Sequence, residues 1–170
     1  MAAMKKFLII GNLNAVTYKD VFPHIVTREI FVRTKNGTIT FAMNFTNNNG
    51  ENKIISSVWF TTLDSRHLYK TLELTKTYDP EKYPVYDNYN AIEVSCIKDI
   101  PKDYKGVMGV PISIVLLSPE QFEILWTTDR GGDGMIEDLK KLPFDKSWDS
   151  AWINGQKVYK RVFIKHKNIN

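Results

Sequence analysis

A short apolar run near the start of the chain constrains the fold more than any other feature. The run Phe7–Ile10 is apolar at every position and ends at Gly11-Asn12. A continuous apolar run of this length, closed by glycine, predicts a β-strand that is buried on both faces in the middle of a parallel sheet. Such a strand needs neighbours, and only a few residues precede it. The sequence therefore predicts a sheet whose first half lies outside this chain.

The rest of the chain predicts a β-rich fold with few helices. Thr17 is the predicted N-cap of a helix over Tyr18–Val26, which Pro23 weakens, so the first strand and this helix form half of a βαβ unit. Ser118-Pro119 predicts the start of a one-turn helix. Six further strands rich in β-branched and aromatic residues are predicted over Glu29–Arg33, Thr38–Phe45, Ile54–Thr62, Ala91–Ile97, Val110–Leu117 and Phe122–Thr127.

Two dipeptides predict tight turns. Asn36-Gly37 precedes the third predicted strand, and Asn154-Gly155 lies between the apolar segments Ala151–Ile153 and Val158–Lys165. Asn-Gly provides two residues that tolerate positive φ, as a two-residue hairpin turn requires. We therefore expect a β-hairpin at the end of the chain, and the first three strands after the opening one are expected to run antiparallel.

Composition bounds the size and the compartment of the protein. The 170 residues, 43% of them hydrophobic, suit one domain with an appended lobe and a core that needs no disulfide. The single Cys96 and the lack of a secretory signal or membrane span predict a cytoplasmic protein. The net charge of +4 permits a polyanionic partner but does not require one.

Catalytic and metal-binding motifs are not found. No glycine-rich phosphate loop follows a predicted strand, and the segment Gly131-Gly132-Asp133-Gly134 fits a plain loop better than a calcium site. His24, His67 and His166 are scattered, so no zinc site is predicted. Cys96 is expected to be a small buried apolar residue. We therefore predict no catalytic, cofactor-binding or metal-ligating residue in this chain.

Basic and aromatic residues in three segments are candidates for contact with nucleic acid. Phosphate contact and solvated surface charge both explain the lysines, and base stacking and core packing both explain the aromatic residues. A basic loop contains the candidates Lys98, Lys102 and Lys105. The terminal hairpin contains Lys157, Lys160 and Arg161. The YDNYN segment contains Tyr86, Asn88 and Tyr89. In the predicted strand Ile54–Thr62, Trp59 and Phe60 must point to opposite faces.

Four segments, in the same order, resemble the EcoRI-type adenine-specific DNA methyltransferases from about residue 5 to 165. They are KKFLIIGNLNAVTYKDVFP, YDNYNAIEVSCIKDIPKDYKGVMGVPISIV, PEQFEIL and NGQKVYKRVFIK. The resemblance implies transfer of a methyl group from S-adenosylmethionine to the amino group of adenine in DNA. It also implies a Rossmann-like catalytic part followed by a target-recognition part.

The resemblance assigns this chain to the C-terminal portion of such an enzyme. The cofactor-binding glycine motif and the catalytic Asn-Pro-Pro-Phe-type tetrapeptide of the family lie upstream of the strand that resembles Lys6–Gly11, and the sequence contains neither. The expected fold is α+β and β-rich, with the last strands of a Rossmann-like sheet in residues 1–62 and a mixed recognition lobe in 63–170, together in one compact unit. S-adenosylmethionine belongs to the intact enzyme, and this chain alone is expected to bind no cofactor.

Two classes of function follow. The first is the C-terminal portion of a methyltransferase of a restriction-modification system, which has DNA and a missing N-terminal half as partners and no membrane partner. The alternative is a non-catalytic module derived from the family, which binds nucleic acid or associates with itself as a homo-oligomer. In the first class the target adenine leaves the helix and stacks on an aromatic residue near the late catalytic strands. The resemblance makes Trp59 or Phe60 the candidate for this stacking.

Overall fold

The computed structural model describes residues 5–34, 39–46, 52–66, 71–117, 120–129, 139–141 and 149–167. Within these residues the protein is strand-rich and its helices are short, in agreement with the predicted β-rich class. Four features named above lie outside the described residues: the Asn36-Gly37 turn, the Ser118-Pro119 helix start, the loop at residues 131–134 and His67.

The first sheet is built around one long strand. It contains β1 (Leu8–Asn12), β2 (Phe31–Arg33), β3 (Ile39–Thr46) and β4 (Asn52–Thr61). β4 pairs antiparallel with β1 on one side, and with both β2 and β3 on the other. β1 and β2 therefore run parallel to each other, as a βαβ unit requires, but β4 lies between them.

A 3-10 helix and a short α-helix connect β1 to β2. The predicted helix over Tyr18–Val26 is wrong in its bounds: a 3-10 helix covers Leu13–Thr17, and α1 covers Phe22–Val26. Asn12 caps the 3-10 helix by accepting a hydrogen bond from the backbone N–H of Asn14 at 2.8 Å. Pro23 lies in the first turn of α1, where its missing N–H costs nothing, so it starts this helix instead of weakening it.

β1 is an edge strand with exposed apolar side chains, so the predicted burial on both faces does not occur within the described residues. Leu8, Ile9 and Ile10 are 56%, 55% and 42% exposed. The register places Ile9 opposite Phe60 and Ile10 opposite Trp59. Because directly opposed residues share a face and neighbours alternate, β1 presents apolar side chains on both faces of the sheet.

The second sheet has the strand order β5-β6-β10-β7. Its strands are β5 (Ile92–Glu93), β6 (Met108–Pro111), β7 (Phe122–Thr127) and β10 (Arg161–His166). β5 pairs parallel with β6, whereas β10 pairs antiparallel with both β6 and β7. The predicted bounds of β7 are confirmed. The predicted strand over Ala91–Ile97 is shortened to β5, and a 3-10 turn follows at Ile97–Asp99.

The predicted strand over Val110–Leu117 is wrong in its second half. β6 ends at Pro111, and a four-residue helix, α2, covers Ile114–Leu117. A continuous apolar run has no periodicity that separates a strand from a buried helix. Proline has no N–H to donate to a sheet, which explains why the strand ends there.

The Asn154-Gly155 hairpin is confirmed, but it is small. β8 (Trp152–Ile153) and β9 (Gln156–Lys157) pair antiparallel across this turn. Asn154 and Gly155 have φ values of 51° and 72°, which both residues tolerate. The second strand of the hairpin ends at Lys157, and the following segment joins the second sheet as β10.

One hydrophobic core extends across both sheets. The core cluster includes Val58 and Phe60 from β4 together with Val110 from β6 and Val162 from β10. A smaller cluster lies on the other side of β10 and contains Phe163 and Trp126. The two sheets are therefore held together by shared apolar packing.

Candidate nucleic-acid interface

The aromatic and amide candidates of the YDNYN segment are core residues. Tyr86 and Tyr89 are fully buried, and Asn88 is 3% exposed. Tyr89 donates a hydrogen bond to the carbonyl of Asp149 at 2.7 Å, and Asn88 donates to the carbonyl of Ser150 at 2.9 Å. These side chains join distant segments of the chain, so of the two explanations for Tyr86, Asn88 and Tyr89 the structure favours core packing over base stacking.

Arg161 is buried in an ion pair with Glu93. Its Nη2 lies 2.7 Å from Glu93 Oε1, its Nε lies 3.0 Å from Glu93 Oε2, and the side chains of both residues are at most 10% exposed. Tyr86 also donates to Glu93. Burial and the neighbouring carboxylate raise the pKa of Tyr86 well above its usual range, so the phenol stays protonated. Burial has the largest single effect on the Arg161 guanidinium and lowers its pKa, but the hydrogen bonds to Glu93, the charge of Glu93 and the neighbouring Tyr86 together outweigh burial and raise the pKa.

Four lysines remain exposed on two connected loops. Lys98, Lys102 and Lys105 are exposed as predicted, and the backbone N–H of Lys102 donates to the carbonyl of Lys76 at 2.9 Å. Tyr104 packs on Tyr78 with ring centroids 4.5 Å apart, which anchors the two loops to each other. We call Lys76, Lys98, Lys102 and Lys105 the lysine loop. Lys76 was not identified from the sequence, because no local pattern in the sequence predicts its backbone contact with Lys102.

The hairpin lysines separate into two kinds. Lys157 is exposed at the end of the hairpin. Lys160 is half-buried and lies 3.2 Å from Asp129 Oδ2 and 3.0 Å from Thr17 Oγ1. Lys157 is therefore available for a phosphate contact, whereas Lys160 connects the segment before β10 to the 3-10 helix that follows β1.

Of the two stacking candidates, only Trp59 is not in the core. Phe60 is 8% exposed and belongs to the shared core. Its ring covers Gly11 so closely that a Cβ on Gly11 would lie 3.0 Å from it. Trp59 is half-buried on the opposite face of β4, between Ile10 and Arg33. The structure favours Trp59 over Phe60 for stacking, and the stacking role itself stays a prediction.

A pocket of about 340 Å³ opens between the two sheets, and sequence reasoning missed it. We call it the inter-sheet pocket. Tyr159, which is 62% exposed, forms one wall and donates a hydrogen bond to Asn14 Oδ1 at 2.7 Å. Three segments line the pocket: the end of β1, the end of β6 and the start of β10, each with the residues beside it. The lining residues are Asn12, Leu13, Asn14, Pro111, Ile112, Ser113, Tyr159, Lys160 and Arg161.

Other site types have little support in the described part of the chain. Cys96 is exposed, so the expectation of a buried thiol is wrong. Among the described residues, no group of three or more His, Cys, Asp or Glu side chains is arranged to hold a metal ion. No helix within the described ranges is long and apolar enough to cross a membrane.

Comparison with known proteins gives one consistent family. A family model described as "Adenine-specific methyltransferase EcoRI" matches residues 1–167. Type II methyltransferase M.EcoRI of Escherichia coli is 38% identical over 97% of this chain and 51% of its own length. Type II methyltransferase M.MgeORF184P of Mycoplasma genitalium is 33% identical over 97% of this chain and 58% of its own length. The chain thus spans about half the length of these relatives. No solved structure gives a significant match.

Proposed function

Because the chain belongs to the EcoRI family of adenine-specific methyltransferases, we propose that it is the C-terminal, DNA-contacting portion of an enzyme that methylates adenine in DNA. In this proposal, residues 1–62 complete a Rossmann-like catalytic sheet and residues 63–170 form the recognition lobe. The enzyme belongs to a restriction-modification system, works in the cytoplasm and takes its methyl group from S-adenosylmethionine.

The observation that carries this proposal is the exposure of β1. Its apolar side chains are exposed on both faces of the sheet, and the edge that does not pair with β4 has no strand beside it among the described residues. Such an edge invites association with another strand. A partner that supplies the next strand and covers both faces of β1 would turn it into the interior strand that its sequence predicts. The remaining half of a family enzyme fits this description.

Our proposal puts the binding of S-adenosylmethionine outside this chain, and the turn after β1 supports this part of it. Nucleotide cofactors approach a sheet through a glycine-rich turn whose backbone lies close to the ligand. Here the turn after β1 is Asn12-Leu13-Asn14, and the Asn12 side chain occupies the N-terminus of the 3-10 helix. In our proposal the cofactor and the catalytic tetrapeptide therefore belong to the other portion of the enzyme.

The proposal is tested by reconstitution. This chain is mixed with the part of the Escherichia coli relative that it does not match, and transfer of labelled methyl groups to adenine in DNA is measured. We expect methylation from the mixture and none from either portion alone. The positive control is the relative reassembled from its own two portions. The proposal would be contradicted if that control is active and this chain binds the same partner portion but gives no methylation.

The lysine loop is expected to contact phosphates. Replacing both Lys102 and Lys105 with Ala should weaken DNA binding and reduce the slope of log K against log[salt] by about 0.9 per lost contact. Replacing Lys5 with Ala is the control, because this exposed lysine lies outside the lysine loop and the hairpin. The measurement is a binding titration of the reconstituted assembly at several salt concentrations. An unchanged slope in the double variant would remove the lysine loop from the interface.

A self-associating module remains the second candidate function, because the exposed edge of β1 would also accept a second copy of the chain. In that case β1 would be covered in a homo-oligomer and no N-terminal portion would be required. Light scattering of the purified chain distinguishes the two. A stable dimer that excludes the N-terminal portion favours the module over the enzyme.

A further inference from the structure

The inter-sheet pocket is close to electrically neutral, although two cationic side chains line it. Lys160 is paired with Asp129 and Arg161 is paired with Glu93. Each positive charge therefore has its own carboxylate, and the pocket offers no excess charge to a phosphate. What remains for a ligand is an aromatic face and several uncharged polar groups.

The aromatic face is that of Tyr159, and it is held in place from two directions. The phenol donates to Asn14 Oδ1 at 2.7 Å, and Arg161 Nη1 donates to the backbone carbonyl of Tyr159 at 3.0 Å. Despite these anchors the residue is 62% exposed. An aromatic ring that is fixed and exposed beside a pocket is a suitable stacking platform, because little ordering is left to be lost on binding.

The polar groups beside this face are two amides and one hydroxyl. The Oδ1 atoms of Asn12 and Asn14 each accept one hydrogen bond, from Asn14 N–H and from Tyr159 respectively. Among the residues that the structure describes, neither Nδ2 has a hydrogen-bond partner, and neither does the Ser113 hydroxyl. An Asn amide donates through Nδ2 and can accept a second bond at Oδ1, which matches the N7 acceptor and the N6 donor of adenine.

From these observations we propose that the inter-sheet pocket binds one unpaired nucleotide of DNA, with its base stacked on Tyr159 and its edge hydrogen-bonded by Asn12 and Asn14. The pocket volume of about 340 Å³ lies in the range of small-ligand sites. This inference rests on the proposed function, because it is that function which brings DNA to the protein. The amide pattern favours adenine over the pyrimidines, so Tyr159 and Trp59 are alternative stacking sites for the target adenine.

The experiment titrates deoxyadenosine monophosphate into the ¹⁵N-labelled chain and follows its NMR spectrum. We expect shifts of the backbone signals of Asn14, Ser113 and Tyr159. Tyr159→Leu should weaken binding roughly tenfold, because it removes the stacking face, whereas Tyr159→Phe keeps the face and should stay within about threefold of the unmodified chain. Tyr18→Leu is the matched control: Tyr18 is 56% exposed and does not line the pocket.

Three outcomes would overturn the inference. They are no shift at the pocket, equal weakening by Tyr159→Leu and Tyr18→Leu, and the same shifts with inorganic phosphate alone, which would make the pocket an anion site. None of these outcomes bears on the methylation assay of the reconstituted enzyme, which tests the proposed function separately. Failure of reconstitution while the nucleotide still binds would count against the proposed function instead.

Discussion

Replacing Arg161 with Met is expected to lower the free energy of unfolding by about 3–5 kcal/mol. The change leaves the Glu93 carboxylate buried without its cation, since among the described residues the guanidinium supplies all the charged donors within 3.1 Å of it. It also removes the bonds from Arg161 to the carbonyls of Tyr159 and Lys160. For a chain of this length the melting temperature should fall by roughly 6–20 °C.

Two comparisons make this test specific to the buried charge. The double variant Glu93→Leu with Arg161→Met removes both charges, so it should recover much of the lost stability. Lys160→Met breaks the partly exposed pair with Asp129 and should cost about 1 kcal/mol or less. Calorimetry of the three variants gives the ranking. If the Arg161→Met variant is as stable as the unmodified chain, the ion pair between Arg161 and Glu93 contributes nothing to stability.

Placing a lysine on β1 should prevent the chain from binding the other portion of the enzyme. Ile9 and Ile10 lie on opposite faces of the sheet. If both faces are covered in the assembly, Ile9→Lys and Ile10→Lys each bury an unpaired charge and should weaken association by about 100-fold or more. The chain alone should keep its melting temperature, because both side chains are exposed there. Val85→Lys, at a position that is 51% exposed and distant from β1 in the sequence, is the control.

The two single variants also give the geometry of the partner. Weakening by both variants indicates cover on both faces, as in the interior of a three-layer fold. Weakening by one variant alone restricts the cover to one face, and no weakening by either would exclude β1 as the docking edge. If Ile9→Lys instead dissolves a homodimer of the chain, the cover is a second copy.

Short-range signals in the sequence predicted the local elements well. β7 and the Asn154-Gly155 turn are correct because propensity and turn chemistry act over a few residues. The end of β6 was missed because Ile114–Leu117 is apolar at every position and so has no period. The strand β1 was predicted at the right place, but the predicted position inside a parallel sheet was wrong for the described residues, in which β1 is an exposed edge strand that pairs antiparallel with β4.

The candidate site was harder to predict because its contacts are long-range. Glu93 and Arg161 are 68 residues apart, and neither position shows from its neighbours that it is buried. Tyr86 and Tyr89 pack on Phe163 of β10, so a segment that suggested a stacking surface forms a core. Tyr159 and Asn14 are 145 residues apart and become one pocket only when the two sheets meet.

The exposed edge of β1 also has a consequence for the life of the protein in a cell. A strand with free backbone groups and apolar side chains on both faces promotes aggregation until it is covered. Copies of the chain that are made in excess of the partner that covers β1 would be removed by chaperones, proteases or precipitation. The steady-state amount of this polypeptide would then follow the amount of whatever covers β1, and the stoichiometry of the assembly would be maintained without dedicated regulation of synthesis.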